Sequence, residues 1–389
     1  MKKPKLLSFL FILSVASLSL GQLALFSSDR GVPIYFFDLV VAVYALFGLI
    51  YFLVTKKFEI PVPLSVFLLF TAIAAFSLLF RLTTLSSEEF TGSAFYLVRW
   101  FFYLIAAGVT YNAVKQNHFT LNFVFNVFSF SALFIAIAGF VQLLVLPDFT
   151  TLDPNLGWDP HKNRLASTFF DPNFTGGYLA LIIGMNLVRS FAQNAKIGLL
   201  KAFFFIIIPL IALFLTFSRS SWGMLSVIVL VLGALKPKAR WLLVVAALFA
   251  FLTYFAVPRV QTRLAGTTDP ADSAAFRLTS WGNAWEIAKD NLLLGVGFNS
   301  FRFAQRDYGF FEAGTLGGNA GAGSDSSFLL ILATTGIFGV IVFVLSFFWK
   351  IPKLTLVPLI FGLFLHSQFV NSVFYPQILF AWLTLWVLL

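Results

Sequence analysis

The chain has 389 residues, 59% of them hydrophobic and only 11% charged, with 52 phenylalanines, no cysteine and a formal net charge of +10. That composition lies far outside the range of soluble globular proteins and describes a polytopic membrane protein. It excludes disulfides and thiolate metal sites, and the basic balance is a nucleic-acid signal only if the charges are not sorted by membrane side.

Apolar runs of the length a helix needs to cross a bilayer fall first at Leu6–Phe26, Ile34–Val54, Val62–Phe80, Ala94–Tyr111 and Leu121–Leu146. After a polar loop come Gly176–Val188, Ala202–Phe217, Ser221–Leu235 and Trp241–Val257, and then Ser327–Trp349, Leu354–Phe374 and Pro376–Leu389. The first run follows Lys2, Lys3 and Lys5, is longer than a signal-peptide core and ends in a poor cleavage sequence, Gly21-Gln-Leu-Ala24, so it reads as a retained anchor. All twelve runs are expected to be helices, because an open strand in lipid leaves backbone groups unpaired. Between the ninth and tenth lies a large, mostly polar loop, residues 257–326. Within it Pro270-Ala-Asp272-Ser273 looks like a helix start, followed by Ala274–Asp290 with Leu278, Trp281, Trp285 and Ala288 on one face. Such a helix is expected to lie along the membrane surface with its tryptophans at headgroup level. There is no internal repeat, heptad run or low-complexity linker, so residues 1–389 are expected to form a single polytopic membrane domain.

Twelve crossings put both termini on one side, and the charges orient them. With cytoplasmic termini, the inner segments hold Lys2, Lys3, Lys5, Lys56, Lys57, Lys115, Arg189, Lys196, Lys201, Lys236, Lys238, Arg240, Lys350 and Lys353 against one acid, Glu59. This is the positive-inside pattern, and it accounts for the excess charge without nucleic acid. The outer cations are mostly arginine: Arg30, Arg81, Arg99, Arg164, Arg219, Arg259, Arg263, Arg277, Arg302 and Arg306. Lysine suffices for topology, whereas arginine grips phosphate oxygens through a planar fork of donors. The outer face is therefore expected to bind a phosphorylated ligand, the plainer reading being that these arginines pair with the outer acids. Asp38 and Arg99, in the outer halves of their spans, either pair with each other or serve the site.

Three outer clusters carry candidate chemistry. The first runs from Arg164 to Asp171-Pro-Asn173, where Asp171 and Asn173 also suit an ordinary turn and cap. The second is Thr216-Phe-Ser218-Arg219-Ser220-Ser221, which sets a guanidinium beside hydroxyls and the free N–H groups of a helix start, a combination suited to an anion. The third joins Arg277 and Trp281, the turn Gly295-Val-Gly297-Phe-Asn299, and Asp325. The glycine pair lacks the third glycine of a dinucleotide fold and reads as a turn. His118, His161 and His366 offer no metal spacing; His161 is a reserve base near Arg164, and His366 a hydrogen-bonded packing residue.

Ser218-Arg219-Ser220, Arg277 followed by Trp281, Leu294-Gly-Val-Gly-Phe-Asn-Ser-Phe301, Ser327-Phe-Leu-Leu-Ile-Leu and Thr335-Gly-Ile-Phe-Gly339 together resemble the bacterial O-antigen ligase and O-antigen polymerase superfamily. The resemblance runs over residues 164–344. It implies a GT-C-like, all-α integral membrane protein with about twelve transmembrane helices and a large, partly helical external loop. It also implies metal-independent, inverting transfer of a glycan from undecaprenyl diphosphate to a sugar hydroxyl, on lipid A core or another lipid-linked glycan. The site would face the periplasm or exterior of the bacterial cytoplasmic (inner) membrane, use no cofactor, and have membrane lipids but no nucleic acid as further partners. By the family pattern Arg219 and Arg277 hold the diphosphate and stabilise the leaving charge, with Arg164, Ser218, Ser220, Asn173 and Asn299 completing the binding set. Ligases of this family carry a histidine just before the tenth span. Here Asp325 stands there, either as general base or as a helix cap. Two alternatives remain: O-linked glycan transfer to protein, and a transporter or flippase of the same lipid-linked sugar. A transporter is expected to carry ionisable groups deep in several spans, and their concentration on the outer face favours the enzyme.

Overall fold

The computed structural model of the chain describes residues 5–26, 33–152, 161–192, 198–266, 273–311, 323–348 and 354–389. The expected helix start at 270–272 and the cations Lys2, Lys3, Arg30, Lys196, Lys350 and Lys353 lie outside the described residues.

The fold is almost entirely helical. In chain order the helices are α1 (Lys5–Leu20), α2 (Phe36–Val54), α3 (Val62–Leu79), α4 (Ser87–Lys115), α5 (Leu121–Val145), α6 (Pro172–Ala192), α7 (Leu199–Leu215), α8 (Arg219–Leu235) and α9 (Trp241–Ala256). Then come α10 (Pro258–Ala265), α11 (Ser273–Asp290), α12 (Phe301–Asp307), α13 (Ser327–Phe348), α14 (Val357–Phe369) and α15 (Pro376–Leu388). The sheet among the described residues is a two-residue hairpin, Leu25–Phe26 antiparallel to Ile34–Tyr35. Each of the twelve apolar runs coincides with a helix. Eight helices, α1 to α6, α9 and α13, are long and apolar enough to cross a membrane, whereas α7, α8, α14 and α15 are shorter apolar helices.

Several boundaries differ from expectation; the first run, expected to be helical to Phe26, leaves α1 at Leu20 and ends in the strand Leu25–Phe26. Helix α4 begins at Ser87, ahead of the apolar run, because Ser86 and Glu89 form a capping box, the hydroxyl accepting from Glu89 N–H at 3.3 Å and the carboxylate from Ser86 N–H at 2.9 Å. Helix α14 stops at Phe369 rather than running on to Phe374, because Val370 is extended at φ −150° and Ser372–Phe374 forms a separate tight turn.

Helix α15 is buried along nearly its whole length, the pattern of a helix surrounded by protein on all sides. Around it the phenylalanines interlock: Phe67 meets Trp100, Phe343, Phe347 and Trp382 with ring centroids 5.3–6.2 Å apart. Lipid tails remove the hydrophobic drive between helices, so such edge-to-face packing carries much of the association. Asp38 and Arg99 do pair with each other, at 2.8 Å and almost fully buried. Tyr103 donates to the second Asp38 oxygen, and the Tyr35 N–H donates at 2.9 Å. Both Asp38 oxygens are thus satisfied, which offsets part of the cost of burying the pair. At the other end of the bundle Lys115 pairs with Glu59, and Arg189 donates to Asn126.

The loop region between α9 and α13 is anchored by a break in α13. Gly336 has φ 66° and ψ −169°, and a Cβ there would come within 2.1 Å of the Leu293 carbonyl oxygen. The Gly295-Val-Gly297 turn fills this break. The N–H groups of Val296 and Gly297 donate to Ala333 and Thr334 at 2.8 and 3.0 Å, and the Ile337 N–H donates to Leu292 at 2.8 Å. Ser77 of α3 closes the arrangement by donating to the Leu294 and Thr334 carbonyls. Carbonyls and N–H groups freed by the break are thus satisfied inside the protein, which membrane depth demands. Beside this joint, Ala284, Ile287 and Ala288 of α11 form a small core with Val296, Phe301, Ala304, Leu330 and Ala333. The expected apolar face of α11 is divided: Ala288 is buried while Leu278 and Trp285 are exposed, because the helix docks on α12 and α13 through its small residues.

Candidate functional site

Two loops far apart in sequence fold against each other. The Leu165 N–H donates to the Leu215 carbonyl at 2.9 Å, and Arg164, buried, donates through Nε to the Thr216 carbonyl at 2.8 Å. Arg259 of α10 donates to the carbonyls of Lys162 and Asn163, while its guanidinium stacks 4.5 Å from the Phe217 ring centre. Four of the seven non-glycine residues with positive φ among the described residues, Asn163, Ser167, Phe170 and Phe217, sit in these two loops. For phenylalanine that conformation is a real outlier, and such strain persists only where the surroundings over-determine it.

The two loops deliver two helix N-termini to one place. Asp171 caps α6, its carboxylate accepting from the N–H of Asn173 at 2.6 Å and of Phe174 at 3.1 Å. Ser218 is the N-cap of α8, and its hydroxyl meets those of Ser220 at 3.1 Å and Ser221 at 2.9 Å. Asn173 ties the two ends together: its Oδ1 accepts from Ser218 Oγ at 2.9 Å and from Arg164 Nη2 at 3.3 Å. The first two clusters of the sequence are therefore one, in which a guanidinium, an amide and a set of hydroxyls surround paired positive helix ends. That arrangement attracts an anion through both dipoles and fixed charge. Arg219, the first residue of α8, reaches α10 and donates through Nη1 to the Arg263 carbonyl at 2.8 Å.

His161 lies behind Arg164, packed edge-on against Phe149 with ring centroids 4.2 Å apart. Burial first, then the nearby charges of Arg164 and Arg259, push its pKa down to about 4. Its imidazole is therefore neutral at ordinary pH.

The third cluster connects through α14. His366, fully buried, contacts Ser221 Oγ through Nε2 at 3.1 Å and Ser372 Oγ through Nδ1 at 2.5 Å. Helix α6 leaves room for it only because residue 177 is glycine, where a Cβ would sit 2.6 Å from the imidazole. Arg277 of α11 donates through Nε to the Phe369 carbonyl at 2.9 Å, at the negative end of α14. Trp281, one turn on, lies against Phe369 with ring centroids 5.7 Å apart. The N-terminus of α13 joins the same turn, since Ser327 Oγ donates to Asn371 Oδ1 at 3.2 Å. Asp325 is half-buried there, and its N–H donates to Ser280 Oγ at 3.0 Å, one helical turn from Arg277 on α11. At the start of α13, Ser324 Oγ accepts from the Ser326 N–H at 3.2 Å and Ser326 Oγ from the Leu329 N–H at 3.3 Å.

The structure thus brings Arg164, Asn173, Ser218 and Ser220 into direct contact and links them through His366 to the α14 turn that receives Arg277. Asn299 stands elsewhere: left-handed at φ 58°, it offers its carbonyl to Ser93 of α4 at 3.3 Å. Sequence reasoning had no role at this site for His366, Asn371 and Ser372. Their signal was the run His366-Ser-Gln-Phe-Val-Asn-Ser372, unusually polar for the end of an apolar segment.

No curated protein matches the chain. The family model described as O-antigen ligase matches residues 204–344, from within α7 through most of α13. That family supports a membrane glycosyltransferase-like role in polysaccharide biosynthesis, with lipid-linked glycans in general as substrates. The matched stretch includes Ser218, Arg219, Ser220, Arg277, Asn299 and Asp325, while Arg164, Asn173 and the α14 turn lie outside it. Over residues 204–344 the chain is thus similar to the O-antigen ligase family.

Proposed function

We propose that the chain moves an oligo- or polysaccharide from undecaprenyl diphosphate to a sugar hydroxyl at the outer face of the bacterial cytoplasmic membrane, with twelve crossings and cytoplasmic termini. The observation that carries this reading is the meeting of the α6 and α8 N-termini around Arg164, Asn173 and Ser218. Such a cluster suits a diphosphate, with Arg219, next to Ser218 in the chain, and Arg277, joined to it by way of the α14 turn and His366, as the further donors. In the transfer, the acceptor oxygen attacks the anomeric carbon while the bond from that carbon to the phosphate oxygen breaks, and the configuration inverts. The electron pair departs with the diphosphate, where guanidinium donors stabilise the growing charge. Arginine then does what a divalent cation does in other diphosphate chemistry.

The acceptor proton passes to Asp325, which takes the position of the family's histidine. A carboxylate serves when it lies within hydrogen-bond reach of the hydroxyl.

The test is reconstitution in lipid with a defined undecaprenyl-diphosphate glycan and a panel of sugar and peptide acceptors, products being read by mass. Glycan transfer is expected, and it is expected to fall by about 100-fold in Arg219→Lys and Arg277→Lys, which keep charge and lose the fork. Wild-type rates in both variants would remove their diphosphate role. Asp325→Asn keeps a capping side chain, so full activity there would remove the base.

A further inference from the structure

We propose that His366 is a positioning residue that holds the anion-binding half of the site in register with the half carrying Arg277 and Asp325. The inference rests on the transfer reading above and deepens it. Three observations carry it.

His366 touches both halves directly through hydrogen bonds, beside the stacking of Phe174 on Tyr375. Its Nε2 meets Ser221 on α8, and its Nδ1 meets Ser372 in the turn after α14. Ser221 in turn bonds Ser218 Oγ at 2.9 Å and the Asn173 carbonyl at 3.2 Å, so a displacement of the imidazole moves the cap of α8 and the start of α6 together. On the other side, the Ser372 turn is continuous with the Phe369 carbonyl that receives Arg277 and with Asn371, which holds Ser327 at the start of α13.

The polarity of the bonds is consistent along the path. The single Ser221 proton is shared between Ser218 Oγ and the Asn173 carbonyl, and the Ser218 proton goes to Asn173 Oδ1, which also accepts from Arg164. Nε2 of His366 is then the donor to Ser221, and Nδ1 accepts the Ser372 proton, which the Val370 carbonyl at 3.0 Å shares.

The site is also shaped around the ring. The bare backbone at Gly177 admits the imidazole, and His366 is completely buried, which removes it from direct contact with a substrate. Its effect therefore passes through the groups it holds. A misplacement of about 1 Å between reacting groups costs on the order of 100-fold in rate.

The chain has no cysteine, so two labels can be placed cleanly. Spin labels at Ser226→Cys on α8 and Thr279→Cys on α11, both exposed, report the distance between the halves. In His366→Ala that distance distribution is expected to shift or broaden, and kcat for glycan transfer to fall about 100-fold with KM for the donor changed less than about threefold. His366→Gln, which keeps one hydrogen bond, is expected to recover about 10-fold of the lost kcat. Ser372→Ala removes the Nδ1 partner together with the Ser372 bond to the Val370 carbonyl, and it repeats the test should the alanine variant at 366 not fold; it is expected to move the same readouts in the same direction. An unchanged distance distribution overturns the inference, and so does a shift that leaves kcat unaltered. If the unsubstituted protein transfers no glycan, the transfer reading fails, while the distance measurement still decides the positioning role.

Discussion

Replacing Asn173 with aspartate separates anion binding from mere packing, because the two roles predict opposite outcomes. The side chain keeps its shape, and its oxygen still accepts from Ser218 at 2.9 Å and from Arg164 at 3.3 Å. A carboxylate next to that guanidinium gains roughly 4 kcal/mol of gross attraction at an effective dielectric of about 20, most of it offset by desolvation. The fold should therefore be unharmed or slightly steadier. A diphosphate about 6 Å away feels repulsion of roughly 3 kcal/mol on the same scale, or about 100-fold weaker binding. The assay is binding of undecaprenyl diphosphate, without sugar, to the protein in lipid nanodiscs, beside a thermal unfolding curve. Affinity down by about 100-fold with an unchanged melting point supports the anion site. Affinity within threefold of the unsubstituted protein would refute the reasoning, since a unit charge in that cluster cannot go unnoticed by a bound anion.

Arg99→Leu strands the Asp38 carboxylate in the interior and is expected to destabilise the protein by about 3–5 kcal/mol, whereas adding Asp38→Leu should return much of that; equal melting points for the single and double variants would argue against the buried pair. Gly336→Ala places a Cβ 2.1 Å from the Leu293 carbonyl oxygen in a conformation essentially reserved for glycine. A loss of at least about 1–3 kcal/mol is expected from backbone strain alone, and a normal melting curve in detergent would mean that α13 is not broken there. His161 has its pKa lowered from 6.5 to about 4, so the unfolded chain takes up this proton first as pH falls. Its contribution to stability is complete above pH 6.5 and is lost progressively towards pH 4, by on the order of 3 kcal/mol. His161→Gln should flatten that acid limb in melting points taken between pH 7.5 and about 4.5; an unaltered slope would show that the histidine is not held neutral.

What the amino-acid sequence determined by itself was the apolar architecture and the sorting of charge. Span length and backbone hydrogen bonding leave few options for a chain this hydrophobic, so the twelve helices were legible from apolar runs alone. Arg164, Asn173, Ser218 and Ser220 were legible as candidates because polar groups at helix starts beside a membrane are conspicuous. Tertiary structure decided which of them meet. Asn173 and Ser218 are 45 residues apart and touch only because α6 and α8 begin side by side. It also decided that the two glycine-containing motifs, around Gly295 and Gly336, are halves of one joint. A break in one helix is filled by a turn nearly 40 residues away, and no local pattern marks that pairing. His366 shows the same limit: alone in an apolar run it is a packing residue, and its link between two halves of a site exists only because α14 lies against α8 with Gly177 opposite the ring.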